Sequence, residues 1–224
     1  MTDMSHYNLA CIGVDQSYKR TGISLSIDGR LMMVTSVDLS HYPEKRDCRV
    51  IVSSSVQKVV SKCFSKGVDN VLVLLERIRL FSKDFISQPY IMSMGAMNAA
   101  VADKVALSFP NELSEGRLEI MSVETRAWKS AVVGTIKKQE NNFGVPPEKW
   151  PTVNYILTKY PEFRDSIMHQ SKRQKKSQKN FSFLSDDAQS VVYMEYDDDA
   201  CDSACISLFP FSRDDYFNLL VSVD

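Results

Sequence analysis

Two unbroken apolar runs, each closed by a single carboxylate, constrain this chain more than any other feature. Leu9–Val14 ends on Asp15, and Val71–Leu75 ends on Glu76. A strand with no polar face is covered on both sides, so both runs read as central strands of a layered α/β sheet. A carboxylate at the end of such a strand is costly to bury alone. It is paired, exposed at the rim, or bound to a cation. If the two strands are parallel and adjacent, both acids stand at one edge, and open α/β sheets carry their sites at the carboxyl ends of strands. Taken singly, Asp15 also reads as a solvated turn residue, and Glu76 as the partner of Arg77 or Arg79.

The rest of the chain supplies the layers. Gln16-Ser17-Tyr18-Lys19-Arg20 is a polar turn, and a second strand begins at Thr21-Gly22-Ile23-Ser24-Leu25. Leu31–Asp38 reads as a third strand, reached through the hairpin signal Asp28-Gly29. Arg46–Lys66 carries Val52, Val56, Val59, Val60 and Phe64 at helical spacing, with Gly67 as its C-terminal stop. Tyr90–Leu107 is a helix rich in Met and Ala, and Leu118–Val123 a short strand before a helix opening at Glu124. Trp150–Tyr160 is a helix with Pro151 near its start. Phe181–Tyr196 reads as the last clear helix, with Ser185 as N-cap. Asp186 and Asp187 lie in its first turn, where the macrodipole favours acids.

Two stretches are cationic. Arg77–Pro89 carries Arg77, Arg79, Phe81 and Lys83, cations around an aromatic ring. That pattern suits either a nucleic-acid backbone with a stacking group or a solvated loop. Residues 164–180 are polar and hold Lys172, Arg173, Lys175, Lys176 and Lys179, a composition that predicts a flexible insertion. The net charge of −1 argues against a wholly basic DNA coat, but local charge decides nucleic-acid binding. Five scattered cysteines without framework spacing predict a reducing compartment. No apolar segment approaches the roughly 20 residues that span a bilayer, and no secretory signal is visible. The expected location is cytoplasmic, with nucleus and viral replication site left open.

The string IGVDQSYKRTGISL resembles the first hairpin of the RuvC-type Holliday-junction resolvases, within the ribonuclease-H-like nucleases. An apolar strand ends in Asp, a short turn with Ser follows, and Thr-Gly opens the second strand. Gln16 stands where that pattern has Pro-Gly. WKSAVVGTIKK resembles the family segment in which Lys, an apolar run, Gly and a further Lys follow the fifth strand; Lys129, Gly134 and Lys137 match it. The resemblance covers about Leu9–Tyr196 and implies a ribonuclease-H-like α/β fold, a five-stranded mixed sheet flanked by helices. Residues 1–196 would form the nuclease domain, with 164–180 its insertion and 197–224 an extension of unknown role. The insertion and tail depart from the compact bacterial form and suggest a phage or viral relative.

The resemblance also implies chemistry: a Mg²⁺-dependent endodeoxyribonuclease (crossover junction endonuclease) acting on branched DNA as a homodimer. Hard divalent cations take oxygen ligands, and two of them roughly 3.5–4 Å apart activate water and stabilise the leaving oxygen. Asp15, Glu76 and one of Asp186 and Asp187 would hold two Mg²⁺, with Mn²⁺ able to substitute. Lys129, Lys137 and Lys138 would lie near the DNA backbone. The family's final helix commonly carries two Asp three apart before small residues; here Asp186 and Asp187 are adjacent and Gln189 occupies the next expected place. Gln189 favours the main alternative, a junction-binding module that kept the fold and lost catalysis. A ribonuclease-H-like nuclease of other specificity is the second alternative. An actin-like ATPase would need glycine in the turn after Asp15, and a proofreading-type exonuclease would need an acid where Ser17 stands.

Overall fold

A computed structural model of the chain describes residues 8–77, 88–134, 147–171, 181–184 and 191–212. Strands β1 (Leu9–Asp15), β2 (Arg20–Ile27) and β3 (Arg30–Asp38) form an antiparallel meander. Asp28 and Gly29 turn β2 into β3 with φ of 48° and 80°, the left-handed pair that a two-residue hairpin needs. Helix α1 (Lys45–Ser65) leads to β4 (Asn70–Arg77), which pairs parallel with β1. Helices α2 (Gln88–Ser108) and α3 (Pro110–Ser114) lead to β5 (Leu118–Glu124), parallel with β4. The strand order is β3-β2-β1-β4-β5, the five-stranded mixed sheet that the sequence predicts.

The period of two along a strand sorts the side chains into two cores. Ala10, Ile12 and Val14 of β1 and Val71, Val73 and Leu75 of β4 face α1 and α2. There they meet Val52, Val56 and Val60 from α1 and Met97, Val101 and Val105 from α2. Each of the Val, Leu, Ile and Met side chains among them, fully buried, stabilises the fold by roughly 1.5–3 kcal/mol. Cys11, Leu72 and Leu74 face the opposite side.

That opposite side is built by the C-terminal half. Helix α4 (Thr125–Trp128) runs into a π-helical turn, Lys129–Val133, closed by Gly134 at φ 75°. Helix α5 (Trp150–Lys159) stops before Pro161. Strands β6 (Met168–Ser171), β7 (Phe181–Leu184) and β8 (Val191–Tyr196) form a small antiparallel sheet ordered β6-β8-β7. Where the helix expected over Phe181–Tyr196 is described, at Phe181–Leu184 and Val191–Tyr196, strands stand instead. Val191, Val192, Tyr193 and Tyr196 are β-branched or aromatic, and β8 gains ladder bonds on both edges, which overrides the local helix signal.

The last described helix is instead α6 (Asp198–Leu208), followed by a 3₁₀ turn through Ser212. It lies on the main sheet, buried from Ala200 to Leu208. The segment after residue 196, expected as an extension, thus supplies part of the central core. Backbone meets backbone where it crosses β1 and β2. A side-chain carbon built on Gly13 would overlap the Ser203 carbonyl, and one on Gly22 the Asp199 carbonyl. Small hydroxyls complete the seam: Ser24 and Ser203 share a hydrogen bond of 2.7 Å, and Ser26 donates to the Ser207 carbonyl. Asp197 caps the helix by accepting from the Ala200 amide at 2.9 Å, while Arg20 and Ser36 hold its other oxygen. Among the described residues no helix is long and apolar enough to cross a membrane.

Candidate functional site

Asp15 follows Cys11 and Gly13 by steps of two, and Glu76 follows Leu72 and Leu74 in the same way. Both acids therefore belong to the face that α6 covers. The β1–β4 pairing ends at Val14–Leu75, so Asp15 and Glu76 stand at neighbouring strand ends just beyond it. Asp15 is only 7% exposed. The turn behind it is tightened by Thr21, whose hydroxyl donates to the Ser17 carbonyl at 2.8 Å and accepts from the Ser17 amide at 3.2 Å.

Helix α6 brings the other acids. Asp199 and Asp202 are three residues apart and share one side of its first turns. Burial pushes the Asp15 carboxyl well above the usual carboxylate range, and Glu76, Asp202 and Asp199 push it further. The Asp199 carboxyl is pushed up to about 7, by burial and then by Asp198 and Asp197. Asp202 is raised as well, by burial, although Lys149 and Lys129 act against the shift. Four carboxylates from two strands and one helix thus share one rim with too little positive charge.

Two lysines answer part of that deficit. Lys149 Nζ lies 3.0 Å from Asp198 Oδ2 and 3.3 Å from Asp202 Oδ2. Burial disfavours its ammonium, but Asp202, Asp198 and Asp15 outweigh that and hold it above the ordinary lysine range. Lys129 Nζ lies 3.7 Å from Asp202 Oδ2 and 5.0 Å from the centre of the Trp128 ring. The fully buried Trp128 donates its indole N–H to Glu76 Oε1 at 3.2 Å. Thr152, beside Asp202, spends its hydroxyl hydrogen on the Lys149 carbonyl, and Asp202 Oδ1 is buried without a hydrogen-bond partner.

The donor set suits a hard divalent cation in type: carboxylates at one rim, of which Asp15 and Asp202 are buried and raised, and one orphaned carboxylate oxygen. As the side chains stand, no group of three or more His, Cys, Asp or Glu among the described residues is drawn together around one point. The ammonium of Lys149 lies among the helix acids instead.

Of the residues singled out in the sequence, Asp15, Glu76 and Lys129 meet at this rim. Arg77 ends β4 exposed and faces Glu124 of β5 at 3.8 Å. Asp186, Asp187, Arg79, Phe81, Lys83, Lys137, Lys138, Lys172, Arg173, Lys175, Lys176 and Lys179 lie outside the described residues. Sequence reasoning missed Asp199, Asp202 and Lys149. For the two acids a signal existed: Asp199-Ala-Cys-Asp202-Ser-Ala has the three-residue spacing before small residues that the adjacent pair at 186–187 lacks.

No family model matches the sequence, and no curated protein sequence does. Solved structures do match. The yeast mitochondrial Holliday junction resolvase Ydc2 is 10% identical at a TM-score of 0.51, covering 99% of this chain and 84% of that one. Thermus thermophilus RuvC is 10% identical at 0.47, covering 91% and 93%; its complex with Holliday junction substrate matches at 10% and 0.48, covering 92% and 94%. The likeness to the yeast protein is one of fold: this chain has the RuvC-type resolvase architecture that the Asp15 hairpin predicts.

Proposed function

We propose that this chain is a structure-specific DNA endonuclease that cuts four-way junctions, with divalent cations held by Asp15, Glu76, Asp199 and Asp202. The observation that carries this reading is the cluster itself: acids distant in sequence, converging on one sheet rim, with Asp15, Asp199 and Asp202 raised by burial and by neighbouring carboxylates. The shared fold with a resolvase agrees with it.

Phosphodiesters hydrolyse slowly because water is a poor nucleophile and negative charge builds up in the transition state. Mg²⁺ bound to such acids supplies an activated water and stabilises the leaving oxygen. Asp15, which neighbours Glu76, Asp199 and Asp202, would hold the cations together with them. Trp128 orients Glu76 from below, and the buried seam under α6 fixes Asp199 and Asp202. Lys149 and Lys129, partly exposed at the rim, balance the acids and offer positive charge to a phosphate. The helix acids of this reading are Asp199 and Asp202 in place of Asp186 and Asp187. A dimer with a two-fold axis would present two such sites to a junction of the same symmetry.

The test is nicking of a synthetic four-way junction and of linear duplex in Mg²⁺ and in Mn²⁺. Asp15→Asn and Asp202→Asn should each lower cleavage by about 10³-fold or more while junction binding persists. Asp187→Asn should leave cleavage within about twofold. Equal cutting of linear duplex would make the chain a nuclease of other specificity. The second reading, a binding module, draws on the ammonium lodged among the helix acids. Wild-type junction binding with no cleavage in either metal would establish that reading.

A further inference from the structure

One guanidinium joins three segments at the start of α6. Arg20, the first residue of β2, lies with Nη1 3.2 Å from Asp197 Oδ2 and Nη2 3.5 Å from Asp38 Oδ2. Asp38 closes β3 and is the ladder partner of Arg20. The Ser36 hydroxyl donates to the same Asp197 oxygen. The Asp197 amide in turn donates to the Ile167 carbonyl at 2.7 Å. Asp197 is only 4% exposed, and a buried carboxylate persists where partners of this kind surround it.

An N-cap needs far less. The bond from the Ala200 amide to Asp197 Oδ1 is the whole of the cap, and a serine or asparagine open to water supplies it as well. The second oxygen, with its cation from β2 and its hydroxyl from β3, adds a fixed starting point relative to the strands. Arg20 follows the turn behind Asp15, whereas Asp197 leads directly into Asp198, Asp199 and Asp202. Close packing on Gly13 and Gly22 fixes how near α6 lies. Its phase is a separate matter: at 3.6 residues per turn, a helix start displaced by one residue swings every later side chain by about 100°.

We infer that Arg20 and Ser36 are positioning residues of this site: through the second oxygen of Asp197 they set the phase of α6, and with it the direction in which Asp199 and Asp202 project toward Asp15. The inference rests on the reading of the rim as the cleavage site. Misplacement of reacting groups by about 1 Å, from a substitution far from the chemistry, can cost about a hundredfold in rate.

The experiment is nicking of a synthetic four-way junction by saturating full-length protein in a single turnover, with junction affinity and thermal unfolding measured alongside. Arg20→Met removes the fork and keeps the stem. Asp197→Asn keeps the capping oxygen but turns an amide nitrogen toward Arg20 and Ser36, so it opens the clamp and spares the cap. Each should lower the rate by about tenfold or more where the variant is folded, with junction affinity within about twofold of wild type. The double variant should be no slower than either single one, since both break the same link. It leaves no buried charge unpaired, and so stands in for Arg20→Met should that variant not fold. A merely structural role would lower the unfolding midpoints and leave the rate of folded protein unchanged. Rates within about twofold of wild type in folded Asp197→Asn and in the double variant would overturn the inference while the site reading stands. No nicking by the wild-type chain in Mg²⁺ or Mn²⁺ would overturn both.

Discussion

Asp199 makes the charge deficit of the rim measurable. Its folded-state pKa of about 7 lies above the ordinary carboxylate value, so the folded chain holds this proton more tightly than the unfolded one. Stability then falls as pH rises from the unfolded carboxylate pKa, near 4, through about 7, because the unfolded state releases the proton first. Metal-free protein should show a declining unfolding midpoint over that window, and Asp199→Asn should flatten the decline. A midpoint that rises across the same window in wild type would contradict the crowding of acids described here. Asp15 and Glu76 were legible as residues because each ends an all-apolar strand, and the alternation of side chains then assigns both to one face. Lys149 was not legible. It stands in a polar stretch beside Glu148 and two prolines, and only the approach of α6 gives its ammonium partners.

At the scale of elements, the contact between α6 and the sheet sets the distance between strand acids and helix acids. Gly13 and Gly22 admit the helix backbone where any side chain would strike a carbonyl. Gly22→Ala should push the first turn of α6 outward, costing about 1–3 kcal/mol as overpacking does, and should lower junction cleavage more than stability alone explains. Urea titration and nicking of the same preparation check it; unchanged cleavage in a destabilised variant would detach the helix from the site. This contact was not visible in the sequence. Ser185-Asp186-Asp187 has the local signature of a helix start, whereas Asp197-Asp198-Asp199 opens what looks like a solvated acidic tail. Tertiary pairing decided otherwise: β8 needed strand residues at 191–196, and Asp197 found Arg20 and Ser36 waiting on β2 and β3.

For the molecule as a whole, patterning marked the strands and the resemblance implied their five-stranded mixed sheet, while the extent of the core was not legible. Cys201, Ala204, Cys205 and Leu208 are apolar or small at helical spacing, yet their acidic lead-in concealed them. A chain ending at Tyr196 should therefore fail to fold cooperatively, since it exposes Cys11, Leu72 and Leu74 and leaves Asp15 and Glu76 without their partners. Circular dichroism melting of that fragment beside the full chain is the direct check. A sharp transition at the full-length temperature would show that α6 is dispensable. The order in which these pieces leave the ribosome then acquires meaning. A nascent polypeptide that already displays the hairpin and β4 still lacks half the acids of the rim, so the cluster can assemble only when synthesis has passed α6.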